Sequence, residues 1–154
     1  MILNQQHEVR VARRSLESFL RRVKRELGLQ QSDVTVCLVS DAAMARLNQK
    51  FRKKKGPTDV LSFPVVARGK TRRLPRRSHT GGTNSGQYEY LGDIAISPAA
   101  ARCYAKKQNR PIAGELRVLI LHGLLHLLGY DHETDHGEMD KIEHQLRRHF
   151  GLTR

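Results

Sequence analysis

The strongest constraint on the fold of this chain is one apolar segment, IAGELRVLILHGLLHLLGYDH, which runs from Ile112 to His132. Its periodicity predicts a helix over roughly 113–128. Gly129 stands just after the last periodic residue, and a glycine there can take the positive φ that ends a helix and reverses the chain. The helix should therefore lead into a turn that brings His132 back toward its last residues.

The same segment carries three histidines. His122 and His126 are four residues apart, so both imidazoles project from one face of a single helical turn and can bind one metal ion. His132, returned by the turn at Gly129, would be the third ligand, which leaves the fourth corner of a tetrahedron open for water, as in a catalytic zinc site. The alternative is that they are ordinary polar residues of an amphipathic helix, but three at this register are much less frequent by chance.

The spacing of these histidines matches the H-x-x-x-H-x-x-G-x-x-H pattern of the metzincin proteases. Gly123 stands where those enzymes place the glutamate that acts as general base. Without that carboxylate the peptidase mechanism loses its proton acceptor, so the site suits another electrophile. The charge of the chain suggests a phosphodiester.

That charge is large for a small protein. The 154 residues include 28 Lys and Arg against 15 Asp and Glu, a net charge of +13, which favours a polyanionic partner. No apolar run approaches the roughly 20 residues that cross a bilayer, and the first residues do not resemble a secretory signal, so we expect a cytosolic protein without membrane contact. Two cysteines, Cys37 and Cys103, are too few for a disulfide framework.

The remaining periodicities predict an α+β fold, with a small mixed β-sheet of about four strands packed with about five helices, in a single domain over residues 1–154. A basic Gly/Ser-rich segment at about 68–87, which includes His79, shows neither helical nor strand period and reads as a long loop, either functional or disordered. Helices are predicted at 9–27, from 41 with Met44, Leu47 and Phe51 inward, and at 98–108, 113–128 and 135–149; strands are predicted at 34–39, 60–66 and 91–96.

Three motifs in order carry a family resemblance: PTDVLSFP from Pro57, LGDI from Leu91 and HGLLHLLGYDH from His122. With LNQKFR at Leu47, they resemble the YbeY family of bacterial single-strand-specific endoribonucleases, also called rRNA maturation factors. The resemblance implies one zinc ion held by His122, His126 and His132. It also implies that Arg52 faces this metal across a basic cleft.

A catalytic role for Arg52 is chemically reasonable, because a planar guanidinium can stabilise two oxygens of a phosphodiester as negative charge develops. From composition alone, Arg52 would be one of several solvated cations in RKKK, and Lys53, Lys54 and Lys55 are interpreted as general phosphate contacts.

Several other polar residues have two open interpretations. Asp93, Asp131 and Glu133 could orient a ligand imidazole by accepting its second N–H, or could serve local structure. Glu115 and Glu143 are expected to pair with surface arginines, and Thr58, Asp59 and Ser62 to form local turns. His136, His144 and His149 are expected to be surface histidines.

Three functions from different classes remain open on the sequence. The resemblance implies an endoribonuclease acting on single-stranded RNA in rRNA maturation and small-subunit quality control, with the small ribosomal subunit, a ribosomal protein and an assembly GTPase as partners. The histidine pattern alone would allow a zinc hydrolase for peptides or other esters. The third is a non-catalytic ribosome-assembly factor with structural zinc. For the first, the nucleophile is either water or the substrate's 2′-hydroxyl.

Overall fold

The structure is a computed structural model, and it describes residues 1–65, 89–131 and 133–152. Most of the chain is arranged in nine elements within these ranges, whereas the predicted loop at 68–87 lies outside the described residues. The helices are α1 Arg13–Glu26, α2 Asp41–Arg52, α3 Pro98–Lys107, α4 Ile112–Leu127 and α5 Glu138–His149. The strands are β1 Ile2–Asn4, β2 Ser32–Leu38, β3 Val60–Pro64 and β4 Glu89–Ile96.

The four strands form one mixed sheet in the order β1-β2-β4-β3. β1 and β4 both pair with β2 in parallel, and β3 pairs with β4 antiparallel at the edge of the sheet. The predicted α+β class, with a four-stranded mixed sheet and five helices, is confirmed. β1 was not predicted, because a strand of three residues is too short to show a period of two.

Helix α4 lies against one face of the sheet, where it packs on alternate side chains of β4. Ile94 and Ile96 are fully buried there. A Cβ atom at Gly123 would lie only 2.7 Å from Cγ2 of Ile94, so the glycine allows the helix to approach the strand closely. The Ser62 hydroxyl of β3 donates to the carbonyl of Gly123 at 3.2 Å and fixes the helix against the edge strand. Ser62 therefore holds α4 in place, rather than forming the local turn expected for it.

Helix α2 covers the opposite face of the sheet. Met44 is fully buried there with Leu61 and Ala95, as predicted, and Ser40 caps the helix by accepting from the backbone N–H of Ala43 at 3.1 Å. The expectation that Phe51 points inward is wrong. Its side chain is 54% exposed, and its ring meets that of Phe63 edge-on at 5.0 Å.

Helix α1 begins at Arg13 rather than at Val9, because the chain from Gln5 to Ala12 connects β1 to the helix in irregular backbone. Val9 is nevertheless buried, so its apolar character fitted a helical period that the backbone does not adopt. Gly28 has a φ of +69° and ends α1 as the sequence indicates. Among the described residues, none of the helices combines the length and apolarity needed to span a bilayer.

Candidate active site

The imidazoles of His122 and His126 meet on the partly exposed face of α4. Their Nε2 atoms lie 3.1 Å apart, and the ring planes are inclined at 78° to each other. The four-residue spacing on one helix produces this approach, as the sequence predicts. Both rings direct the same type of nitrogen at one point in space.

The second nitrogen of His122 is held by a carboxylate from α5. Oε1 of Glu143 lies 2.8 Å from Nδ1 of His122, and NH2 of Arg147 lies 3.5 Å from the same oxygen. Burial raises the pKa of Glu143, but the hydrogen bond and charge of His122, together with Arg147, outweigh it and lower the pKa overall. Glu143 is thus an ionised acceptor, and Nδ1 of His122 donates to it.

The second nitrogen of His126 is held by the turn that follows α4. Nδ1 of His126 lies 2.9 Å from the carbonyl oxygen of Tyr130, which can only accept, so this Nδ1 also donates. Gly129 makes the contact possible: its φ is +94°, as predicted, and the N–H of Tyr130 turns back to the carbonyl of Leu125 at 3.1 Å.

These contacts determine which nitrogens face each other. Because each Nδ1 carries a hydrogen, each ring presents a lone pair at Nε2 when it is neutral, and two such lone pairs 3.1 Å apart repel unless a proton or a metal ion lies between them. Zn–N bonds of about 2.0–2.1 Å at a tetrahedral angle separate two ligand nitrogens by roughly 3.3 Å. The donor chemistry and the spacing therefore fit a pair of metal ligands whose other nitrogens are fixed by acceptors.

The predicted third ligand, His132, lies outside the described residues. Within the part of the chain that the structure describes, no group of three His, Cys, Asp or Glu side chains is placed to hold a metal ion. The three-histidine site and its zinc remain predictions. The part that can be seen is the facing pair at His122 and His126.

Gly123 explains why this histidine pattern lacks a glutamate. The position lies on the face of α4 turned into the sheet, where even a Cβ would meet Ile94 at 2.7 Å. A glutamate at this position would clash with the buried core, so a general base cannot come from it.

The structure does not bring Arg52 into contact with the histidine pair. Arg52 is the exposed last residue of α2, followed by Lys53 in the left-handed region at φ 53°. The side chain of Asn48 holds this end of the helix by donating to the carbonyl of Gly56 at 2.8 Å. Arg52 lies beside Phe51, whose ring packs on the edge strand β3, while α4 packs on the other face of that strand. The role of Arg52 remains a prediction.

A cavity of about 310 Å³ extends from His122 along α4; its polar lining consists of Asp59, Tyr104, Arg110, Glu115, His122 and Arg147. We call it the α4 cavity. Glu115 is 4% exposed, and burial raises its pKa. Glu143 pairs with an arginine as expected, at Arg147, but Glu115 and Glu143 are both buried rather than at the surface. Asp59 also contributes to the cavity, and the hydroxyl of Thr58 donates to its Oδ1 at 3.5 Å.

Two of the other candidate carboxylates make local contacts within the described part of the chain. Asp93 alternates with Ile94 on β4, so it lies on the sheet face away from α4, where it accepts from the Tyr90 hydroxyl. Asp131 accepts from the backbone N–H of Glu133 at 3.0 Å and serves the turn. His136, His144 and His149 are exposed, as expected.

Sequence reasoning missed the role of Glu143. The carboxylate is 21 residues from His122, and neither its spacing nor its neighbours in the chain indicate a contact. The sequence held only one weak indication: Glu143 follows the apolar Met139 by four residues, so both lie on one face of α5. Because Met139 is buried, this face is turned toward the core.

Together, the fold and the site define an α+β protein with two facing histidines at the end of a buried helix, and comparison with known proteins gives its family. The chain belongs to the family described as Endoribonuclease YbeY, which it matches over residues 1–151. The resemblance seen in the sequence is thereby confirmed.

Individual relatives support this membership. The chain is similar to Endoribonuclease YbeY of Koribacter versatilis, with 38% identity over 147 residues that cover 96% of this chain and 83% of the relative. It is 39% identical over 140 residues to the enzyme of the same name from Solibacter usitatus, covering 91% and 80% of the two chains. The fold is similar to the solution structure of a Thermotoga maritima protein, with a TM-score of 0.61, 27% identity and coverage of 98% and 90%.

Proposed function

We propose that this protein is a zinc-dependent, single-strand-specific endoribonuclease that acts in the cytoplasm in rRNA maturation and small ribosomal subunit quality control. One observation carries the proposal: in a member of an endoribonuclease family, two Nε2 lone pairs face each other at 3.1 Å while both Nδ1 atoms are held by acceptors. Such a pair is preorganised for a cation.

His122, His126 and His132 would hold the zinc ion. Zinc in such a site supplies a Lewis acid for a phosphoryl oxygen and a nucleophilic water at neutral pH. Glu143 keeps Nδ1 of His122 protonated and fixes the plane of the ring. The carbonyl of Tyr130 does the same for His126.

The basic residues supply the remaining interactions. The guanidinium of Arg52 would neutralise the charge that develops on the phosphoryl oxygens, and the exposed Lys53, Lys54 and Lys55 would hold the flanking backbone. The net charge of +13 supports an RNA substrate, and affinity should depend strongly on salt. The small ribosomal subunit, with a ribosomal protein and an assembly GTPase, is the proposed setting.

A peptidase function is less well supported. It needs a proton acceptor near the metal, and the position that supplies it in zinc peptidases is here Gly123, which is packed against Ile94. Water and the 2′-hydroxyl of the substrate are both compatible nucleophiles, and a 2′,3′-cyclic phosphate product would indicate the latter.

The test compares the unmodified protein with His126→Ala and Arg52→Glu on single-stranded RNA and on casein, with zinc content measured for each. We expect both variants to lose RNA cleavage, and His126→Ala alone to lose zinc. His144→Ala, at an exposed histidine of α5, is the matched control and should leave both properties unchanged. Cleavage of casein but not of RNA would favour a peptidase. An unmodified protein that cuts neither, with an unfolded His126 variant, would favour a structural role for zinc.

A further inference from the structure

The α4 cavity continues directly from the histidine pair. His122 and Glu115 are seven residues apart on α4, which is close to two helical turns, so both side chains lie on the face that lines the cavity. Its volume of about 310 Å³ is at the lower end of the range for small-molecule sites, roughly 300–1,000 Å³. The cavity therefore has room for a small group beside the proposed reaction centre.

The carboxyl group of Glu115 lies unpartnered in this cavity. It is 4% exposed, and no other residue in the described ranges makes a hydrogen bond to it. The charges around it are mixed: Arg110 and Arg147 attract the carboxylate, and Asp59 repels it. Among the described residues, the Glu115 oxygens do not belong to the fully buried polar atoms that lack a partner, so they keep access to the cavity, where a ligand that brings N–H groups could reach them.

The rim of the cavity carries an aromatic ring and a cation instead of a carboxylate. The ring of Tyr104 is 47% exposed, and Arg110 next to the cavity mouth is exposed as well. An exposed aromatic ring is a stacking surface for a base, and a guanidinium binds phosphate oxygens. The carboxylate acceptor inside the cavity and the aromatic ring at its rim could bind the base of one nucleotide. The guanidinium at the rim could bind the phosphate of the same nucleotide.

We propose that the α4 cavity binds one unpaired nucleotide of the RNA next to the bond that is cut, and that Glu115 accepts hydrogen bonds from its base. The inference rests on the proposed function and adds a determinant of specificity to it. Guanine is the best match, since its N1–H and N2 amino group are adjacent donors for the two carboxylate oxygens. Uracil presents a single N–H between two carbonyl oxygens, which the carboxylate would repel.

This site would also provide a physical reason for single-strand specificity. The edge of guanine that would contact Glu115 is the edge used in Watson–Crick pairing, so a base in a duplex cannot present it without unpairing and unstacking. In a single strand the base is already unpaired, so the free-energy cost of placing it in the cavity is much smaller.

The test uses oligouridine strands of one length that carry a single guanosine, inosine or adenosine at the same position, incubated with the unmodified protein. We expect cleavage next to guanosine, and about tenfold slower cleavage next to inosine, which lacks the N2 amino donor. Glu115→Gln should lose the preference for guanosine over uridine, because the amide no longer offers two acceptor oxygens and no longer repels the carbonyl oxygens of uracil. Glu17→Gln, the same chemical change on helix α1 at a residue that does not line the cavity, should keep the preference. Equal cleavage at all four bases, or a preference that survives Glu115→Gln, would overturn the proposal.

A binding measurement separates failure of this inference from failure of the proposed function. If the unmodified protein cuts no RNA, the endoribonuclease proposal fails, and the cavity is tested by titrating the protein with guanosine and uridine monophosphates. Tighter binding of the guanosine nucleotide, weakened by Tyr104→Ala at the exposed rim, would support the site. Equal binding of both nucleotides would refute it, and because Tyr104 is exposed this test does not depend on whether Glu115→Gln folds.

Discussion

Oε1 of Glu143 on α5 lies 2.8 Å from Nδ1 of His122 on α4, so a carboxylate from the last helix sets the direction in which the first histidine presents its Nε2. The contact joins two consecutive helices through residues that are 21 positions apart. It makes the geometry of the histidine pair depend on the packing of α5.

Removing this carboxylate should weaken metal binding. Since a carboxylate that orients a ligand imidazole is typically worth about 10–100-fold in affinity, we expect Glu143→Ala to bind zinc more weakly by that factor. Glu143→Gln keeps an acceptor oxygen and should lose less. Competition with a chromogenic chelator measures the affinity, and Glu17→Ala is the control. An unchanged affinity in Glu143→Ala, with the fold intact by circular dichroism, would mean that Glu143 does not orient the ligand.

The two glycines of α4 should respond oppositely to alanine. At Gly123 the new methyl group would lie 2.7 Å from Ile94, and overpacking of roughly 1–3 kcal/mol should exceed the helix-propensity gain of about 1 kcal/mol. Gly114→Ala is the matched control, since nothing lies within 4 Å of its Cβ position, and it should be neutral or stabilising. Urea unfolding measures both free energies. If Gly123→Ala were as stable as Gly114→Ala, the close approach of α4 to β4 would be incorrect.

The buried carboxyl of Glu115 should affect how stability varies with pH. Burial raises its pKa above the ordinary value of 4.5, with a further rise from Asp59 and opposing effects of Arg110 and Arg147. Since the folded protein then holds the proton more tightly than the unfolded chain, this group makes the free energy of unfolding fall as the pH rises from 4.5 through the folded pKa.

Glu115→Gln cannot ionise and should lose less stability than the unmodified protein over that interval. Urea unfolding at a series of pH values from 4 to 8, with chelator present so that metal loading does not vary, gives the difference. Parallel curves for the two proteins would show that Glu115 is not destabilised by burial. Glu17→Gln should follow the unmodified protein throughout.

The sequence predicted those features that depend on neighbours along the chain. The turn at Gly129 and the approach of His122 and His126 are set within a few residues, and each was found as predicted. Glu143 could not be predicted, because its contact with His122 depends on how α5 packs on α4. The exposure of Phe51 was missed for a similar reason, since a helical period identifies a face but not where the covering layer ends.

Metal removal should destabilise the protein if the histidines form a site in the folded state only. A metal ion at about 100 times its Kd contributes roughly 2.7 kcal/mol, which for a chain of this size corresponds to a Tm change of roughly 5–10 °C. We expect a chelator to lower the Tm of the unmodified protein by that amount and to have little effect on His126→Ala. A chelator effect of equal size in both proteins would place the metal elsewhere.

The most direct test of the central claim is X-ray absorption spectroscopy of the zinc-loaded protein, which reports the ligands of the metal and their distances. The facing Nε2 atoms of His122 and His126, with the predicted ligand His132, require three imidazole nitrogens at about 2.0–2.1 Å and one further light atom from solvent. A spectrum with a sulfur ligand, or one that is unchanged in His126→Ala, would contradict the proposed site.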